Sequence, residues 1–358
     1  MAWRPLVPLL HLGVIAAASA CAGDDDGDGM PDTTAGSSGE GSTTSGSTGT
    51  PATSGADTTD GDSSGLGSDG LGSDDGSETA APELPDCPVF ARGVSVGDLE
   101  FDEVGEASGL AVSRTQPGVL WTHNDSGDSA RLFALSDTGA HLGQFTLQGA
   151  AADDWEDIAL GPGPDAGVDY LHVADIGDNR AARRSVTIYR VAEPDVSGGS
   201  VNLTGVDTIC VEYPDGAHDA ESMMVDPQTG DLVIITKTLA GTSFLFGVPA
   251  PLSTRGCSTA QAWGELTFGV PPLPGSPATT AGDISDDGRL IAIRSYTRAF
   301  MWRRVEGQSV QSALAGEACD VPLAPELQGE ALGIAPDAAA YFTVTEGSGA
   351  TLFRYDAR

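Results

Sequence analysis

Glu156, Glu221 and Glu330 each head a short apolar segment: Glu156-Asp157-Ile158-Ala159-Leu160, Glu221-Ser222-Met223-Met224-Val225 and Glu330-Ala331-Leu332-Gly333-Ile334. A Gly, Pro or Asp turn and a second apolar run follow each of them. Carboxylates that recur at one place of a repeat converge when the repeats surround an axis, and they repel unless a proton or cation neutralises them. Their oxygens suit a hard cation such as Ca²⁺ or Mg²⁺. A second polar column, Asn124, Asp175, Lys237, Ser295 and Glu346, closes the second apolar runs.

Two loops enlarge the acidic set. His123-Asn124-Asp125-Ser126-Gly127-Asp128 and Asp175-Ile176-Gly177-Asp178-Asn179 follow the second run of neighbouring units. Alternating Asp, Asn and Gly offers several oxygen ligands in one turn, although the same side chains also cap their own turns. The metal ligands expected are therefore Glu156, Glu221, Glu330, Asp175 and Asp178. Lys237 is the only lysine in the chain. With Arg294 and with Arg180, Arg183 and Arg184, it would supply the positive charge that a small anionic ligand needs beside a cation. His123, Asp125 and Lys237 are the candidates for acid–base or anion-holding roles, and Asn124, Arg294 and Glu346 for ligand contact. His218 is read as within reach of the same face and His172 as a packing residue. No His pair has zinc-ligand spacing, and there is no G-x-S-x-G elbow.

The elements that must position these residues form a repeat. Five units share one plan: an apolar strand, a turn, a second strand, a loop and a third strand carrying an aromatic. The equivalent residues Val112, Leu160, Val225, Ile284 and Ile334 are 48, 65, 59 and 50 residues apart, which suits four-stranded blades. Fourth strands are expected at 142–147, 206–212, 265–270 and 309–314. No fourth strand follows the third of the fifth unit, so the extended stretch 94–101 is expected to close the ring from the other end. The chain therefore reads as all-β, a β-propeller with five blades legible and room for a sixth, degenerate one. The first-column residues Ser108, Glu156, Glu221, Thr280 and Glu330 would then meet near the axis on one face.

Composition agrees. Of 358 residues, 48 are Gly and 22 Pro, about a fifth of the chain against roughly 12% in ordinary usage, as many short turns demand. The net charge of −35 excludes nucleic-acid binding, which needs clustered Lys and Arg. Residues 22–86 hold 15 acidic residues and no basic one, leaving 37 acidic against 16 basic residues in 87–358.

Residues 1–20, with Arg4 and an apolar run over 6–18, have a signal-peptide plan. Ala18-Ser19-Ala20-Cys21 resembles the bacterial lipoprotein box, which would place a lipid on Cys21 and hold the protein at the cell envelope. Ordinary secretory cleavage near Ala20 is the other reading. Residues 21–86 are rich in Gly, Ser, Thr and Asp, too poor in apolar side chains to fold, and read as a tether about 45 Å from end to end. Its Asp24-x-Asp26-x-Asp28-Gly29 spacing copies half a calcium loop. Cys87, Cys210, Cys257 and Cys319 remain after Cys21, which permits two disulfides in an exported domain. Joining the domain's start to its last blades pairs Cys87 with Cys319 and leaves Cys210 with Cys257; four free thiols are the alternative.

The units Glu221 to Lys237 (ESMMVDPQTGDLVIITK) and Glu330 to Glu346 resemble blades of the phytase-like, NHL and gluconolactonase-type propellers. That resemblance implies a catalytic cation held by an acidic residue at the start of an inner strand, where Glu156, Glu221 and Glu330 stand. Phytase-like members imply phosphoester hydrolysis at calcium. Three functions follow: a surface-tethered propeller that binds a ligand or protein partner on an acidic face with Ca²⁺, a metal-dependent phosphoesterase or lactonase, and a structural envelope module.

Overall fold

The structure is a computed structural model describing residues 87–269, 276–326 and 328–358. The leader, Cys21 and the tether with its half calcium loop lie outside the described residues. β1 (Val94–Asp98) precedes the first blade, which contains β2 (Ala107–Val112), β3 (Val119–Asn124), β4 (Arg131–Ser136) and β5 (His141–Leu147). The second blade contains β6 (Trp155–Pro162), β7 (Asp169–Asp175) and β8 (Val186–Ala192). After the short strand β9 (Val201–Leu203), β10 (Asp207–Glu212) completes it. The third contains β11 (Ala220–Val225), β12 (Leu232–Thr236) and β13 (Thr242–Val248). Beyond β14 (Cys257–Thr259), β15 (Gln261–Thr267) completes it. The fourth contains β16 (Thr279–Ile284), β17 (Leu290–Ser295), β18 (Ala299–Arg303), a helix α1 (Val310–Leu314) and β19 (Cys319–Val321); the fifth contains β20 (Gly329–Ile334), β21 (Ala340–Thr345) and β22 (Thr351–Asp356). These strands form five sheets, and the protein is a five-bladed β-propeller.

The inner strands β2, β6, β11, β16 and β20 are buried along their whole length, and each packs against the next until β20 meets β2. That closure leaves no place for a sixth blade among the described residues. β1 pairs antiparallel with β22, so the fifth blade takes its outermost strand from the other end of the domain, as expected. Alternate side chains of a strand point to opposite faces of its sheet. Here both faces are covered, because five apolar clusters lie one in each seam between blades. In β12, Leu232 and Ile234 face the second blade while Val233 and Ile235 face the fourth. This is why the strands read as continuous apolar runs.

Two expectations need correction. Residues 309–314 are not a strand: Ser309 caps α1 by accepting from the Ser312 amide, and Val310, Ala313 and Leu314 are buried. Apolar residues at i, i+3 and i+4 have the period of a helix, and β19 is the fourth strand instead. The sheets are also not uniformly four-stranded. β9 adds parallel to β5 and β14 parallel to β10, so the first and second blades each borrow a fifth strand from the connection that builds the following blade. Borrowing covers two sheet edges that would otherwise be open.

Both disulfides form as expected. Cys210–Cys257 joins β10 to its borrowed neighbour β14, and Cys87–Cys319 joins the segment before β1 to β19 of the fourth blade. Among the described residues no helix is long and apolar enough to cross a membrane.

Candidate cation-binding cup at the propeller axis

All five inner hairpins slip register near the head of the inner strand: between Trp155 and Asp157, Ala220 and Ser222, Thr279 and Ala281, and Gly329 and Ala331, and slightly later in the first blade, between Ser108 and Ala111. The residue skipped is Glu156, Glu221, Thr280 and Glu330 in four blades, and Gly109-Leu110 in the first. A bulge re-aims the side chain it carries, so four of these slips present Glu156, Glu221, Thr280 and Glu330 to the axis, while Ser108 stays paired with His123. Gly109 has φ of 72°, and a Cβ there would lie 2.6 Å from the Ile158 nitrogen, so the first blade's bulge requires glycine. In the two blades without an acid, hydroxyls fasten the ring. Ser108 Oγ donates to Glu156 O at 2.6 Å, and Thr280 Oγ1 donates to Gly329 O at 2.9 Å.

The three glutamates do not meet as one triad. They belong to a longer band in which one oxygen from each of Asp125, Glu330 and Glu346 lies within 4.8 Å of the others. The same holds for Asp125, Asp154 and Glu156, and for Glu156, Asp219 and Glu221. Asp125 and Glu156 are shared, so seven carboxylates run continuously around the axis. The Lys237 ammonium donates to Glu221 Oε1 and lies 5.3 Å from the centre of the Tyr296 ring. Tyr296 completes the circle from the fourth blade, its hydroxyl donating to Glu330 Oε1 at 2.9 Å. Gln328 Nε2 donates to Glu346 Oε2 at 2.7 Å. Glu330 is 5% exposed, and its Oε2 is buried with no hydrogen-bond partner.

Beneath the band the axis is plugged. Asp157 is fully buried; its Oδ1 accepts from Ile158 N at 2.9 Å, and its Oδ2 from Met223 N at 2.9 Å and Gly282 N at 3.1 Å. One carboxylate thus ties the second blade to the third and, across the axis, to the fourth. Asp283 does the same for the fourth and fifth, accepting from Ile284 N at 2.8 Å and Ile334 N at 2.7 Å. The acidic band therefore lines a cup with a floor.

Seven carboxylates and one ammonium cannot all stay ionised in such a place. Burial, then Glu221 and its acidic neighbours, push Glu156 well above the usual carboxylate range. Burial pushes Asp125 up to about 7, with Glu330 and Asp154 adding to it, and Asp154 up to about 6, with Asp219 adding. Burial, then the adjoining Glu330 carboxyl group, take Glu346 up to about 9. Burial opposes the charge on Lys237, but the Glu221 carboxylate overrides it and keeps the ammonium protonated. Such a constellation takes up protons or a cation.

Of the residues read from the sequence, Glu156, Glu221, Glu330, Asp125, Lys237 and Glu346 come together. The others are engaged elsewhere. Asp175 pairs with Arg183 at 2.7 Å and accepts from the Asp153 and Asp154 amides at 3.2 Å each. Asp178 accepts from Arg183 N at 2.6 Å, and its own amide donates to Asp219 Oδ1 at 2.8 Å. Both shape the chain that carries the band, and neither belongs to it. Asn124 is spent on its loop, donating to Glu103 O and Asp128 Oδ2 and accepting from Glu106 N. Arg294 is wholly buried against Glu326 at 2.7 Å and Ala331 O at 3.0 Å, so it faces no ligand. His123 is fully buried edge-on to Trp155, and burial lowers it to about 4, which leaves it neutral and away from the cup. His218 pairs with Asp215 and packs on Phe244 and Phe246, while His172 is a buried packing residue as read.

Asp154, Asp219, Tyr296 and Gly177 escaped the sequence reading. The first two had a signal, since Asp154-Trp155-Glu156 and Asp219-Ala220-Glu221 repeat one D-x-E spacing that puts both carboxylates on one side of an extended chain. Tyr296 follows Ser295 as Asp125 follows Asn124. Gly177 admits no side chain: a Cβ there would lie 2.1 Å from Glu156 Oε1 and 2.5 Å from Asp154 Oδ2, so both carboxylates pack directly against its backbone.

No protein-family model matches the chain, and no curated protein matches it. Among solved structures, the PQQ-bound form of aldose sugar dehydrogenase from Streptomyces coelicolor is similar over 77% of this chain and 100% of that one, at 10% identity and a TM-score of 0.44. A likeness of that degree carries nothing about chemistry.

Proposed function

We propose that the protein is an exported, lipid-anchored propeller that binds a ligand or protein partner at its acidic cup through a hard divalent cation such as Ca²⁺. The observation that carries this reading is the band of seven carboxylates around one ammonium above a plugged axis, with the buried Glu330 Oε2 lacking a partner. Oxygen-only donor sets of this kind suit calcium or magnesium better than zinc or copper. Two disulfides fit an oxidising compartment, as export requires.

A cation that binds only the folded state raises stability by RT ln(1 + [L]/Kd), about 2.7 kcal/mol at a hundredfold excess over Kd. After chelator treatment and at constant ionic strength, millimolar Ca²⁺ should raise the melting temperature. No rise with Ca²⁺, Mg²⁺ or Mn²⁺ removes the reading.

A metal-dependent hydrolase acting on phosphoesters or lactones is the second reading. It is favoured by Lys237 and Tyr296, a cation and a phenol at the wall of the same cup, placed to hold an anion or pass a proton. A screen of both substrate classes with cation present decides it: turnover that Glu221→Gln abolishes supports the enzyme, and silence on every substrate leaves binding.

A further inference from the structure

A cavity of about 540 Å³ opens on the face opposite the cup, between the fourth and fifth blades. β16 carries Thr280 at its head, and its other end turns through Asp286 to Arg289, which lines this cavity. One wall is the open end of the β17–β18 hairpin, where Arg304 N donates to Arg289 O at 2.8 Å and Arg303 stands opposite Leu290. The other is the segment 88–90, where Arg358 N donates to Val89 O at 2.9 Å and Phe90 bridges to Ala357.

The domain has 37 acidic residues for 16 basic ones, and here that ratio is reversed: Arg289, Arg303, Arg304 and Arg358 line the cavity with only Asp287 and Glu306 against them. Asp287 is folded into its own turn, its Oδ1 accepting from Ser285 Oγ at 2.7 Å and Arg289 N at 3.0 Å. Glu306 is almost wholly in water and reaches Arg289 only at 4.0 Å. Arg304 is spent on the Asp226 carboxylate, at 2.8 and 3.0 Å, and so fixes the loop that carries its neighbour. The Arg303 and Arg358 side chains are exposed, and among the described residues their guanidiniums form no ion pair or hydrogen bond.

We propose that this cavity binds a phosphate group carried on a small, partly apolar body. A guanidinium takes anionic oxygens two at a time, and three of them around one cavity suit a group with several such oxygens better than a single carboxylate. The apolar part has its own surface: Val89 and Val305, 59% and 38% exposed, lie on the two walls. The volume falls within the range of about 300–1,000 Å³ usual for small-ligand sites and far exceeds what a bare phosphate ion fills. A soluble phosphate ester and a phospholipid headgroup share this chemistry. The site uses no residue of the cup, so it stands or falls apart from the cation-binding reading.

Titration calorimetry on the full chain, stripped with chelator so that no metal in the cup attracts an anion, tests this with two probes. One is glycerol 3-phosphate; the other is dihexanoylphosphatidic acid below its micelle concentration, the same phosphate on two short acyl chains. Saturable binding of at least one is expected. No gain from the acyl chains marks a soluble ester as the ligand, and tighter binding with them marks a lipid headgroup. Binding of neither probe overturns the inference. Arg303→Gln with Arg358→Gln should weaken binding about tenfold or more, as the loss of one charge-assisted hydrogen bond does. An unchanged melting temperature checks that this variant is folded, and Arg289→Gln replaces it if it is not. Undiminished binding in the folded variant overturns the assignment to this cavity, and so does a loss of binding caused by Glu221→Gln in the cup.

Discussion

Asp157 shows how much one side chain holds. Its carboxylate accepts three amides from three blades with no exposure to water. Asparagine there would keep one acceptor and turn an NH₂ group onto facing donors, leaving buried groups unpaired at about 1–3 kcal/mol each. Asp157→Asn should therefore lower the free energy of unfolding by about 2 kcal/mol or more, read by tryptophan fluorescence as a lower urea midpoint with the m-value unchanged. A second residue-scale effect is pH dependence. Burial lowers His172 to about 3 and His123 to about 4, while an unfolded histidine titrates near 6.5. Between those values the unfolded chain binds more protons, so these residues make stability fall as pH drops below about 6.5. Asp283 works the other way: burial raises it to about 7, so its contribution grows as pH falls towards the unfolded carboxylate value near 4. Replacing His172 by glutamine isolates one sign. Lowering the pH from 7 to 4.5 should change the stability of the variant more favourably than that of the wild type, by about 2 kcal/mol. An equal change in both would show that His172 does not contribute.

At the scale of elements, the recurring device is the bulge at the head of each inner strand. A regular strand would send alternate side chains into the seams, where an unpaired carboxylate costs several kcal/mol. Slipping one residue lets Glu156, Glu221 and Glu330 leave that alternation and face the axis, while Ile158, Met223 and Leu332 still fill the seams. The inner strands were legible in the sequence because Leu232 to Ile235 and their counterparts are apolar on both faces. The column of glutamates was legible because it recurs at one position. What period-2 reasoning could not see was whether residues two places earlier or one place beyond a strand also reach the axis, which is how Asp154, Asp219 and Tyr296 were passed over. The stretch 309–314 misled for a related reason: six residues are too few to separate the two periods by eye, and only the packing of Val310, Ala313 and Leu314 with Trp302 decides it.

For the whole molecule, the seams are held by covalent or borrowed elements as well as by apolar packing. β9 crosses from the first blade to the second, β14 with Cys210–Cys257 from the second to the third, and Cys87–Cys319 from the fourth to the fifth. The two disulfides close sequence separations of 47 and 232 residues. On a chain-entropy basis each contributes about 4–5 kcal/mol, with the longer loop worth more. Cys87→Ser with Cys319→Ser should therefore lower the urea midpoint more than Cys210→Ser with Cys257→Ser; the reverse order would mean that native contacts, not loop closure, dominate.

The sequence by itself determined the repeat, at least five blades, the closing strand and the acidic character of one face, because each follows from local periodicity and composition that survive in any packing; that the ring closes at five was decided by β20 meeting β2. It could not determine which acids share an oxygen cluster, that Arg294 and Asn124 are turned inward, or that Lys237 lies among the carboxylates. Those depend on distances between residues dozens of positions apart, set only when the inner strands close the ring and a shared floor fixes how far each blade stands from the axis.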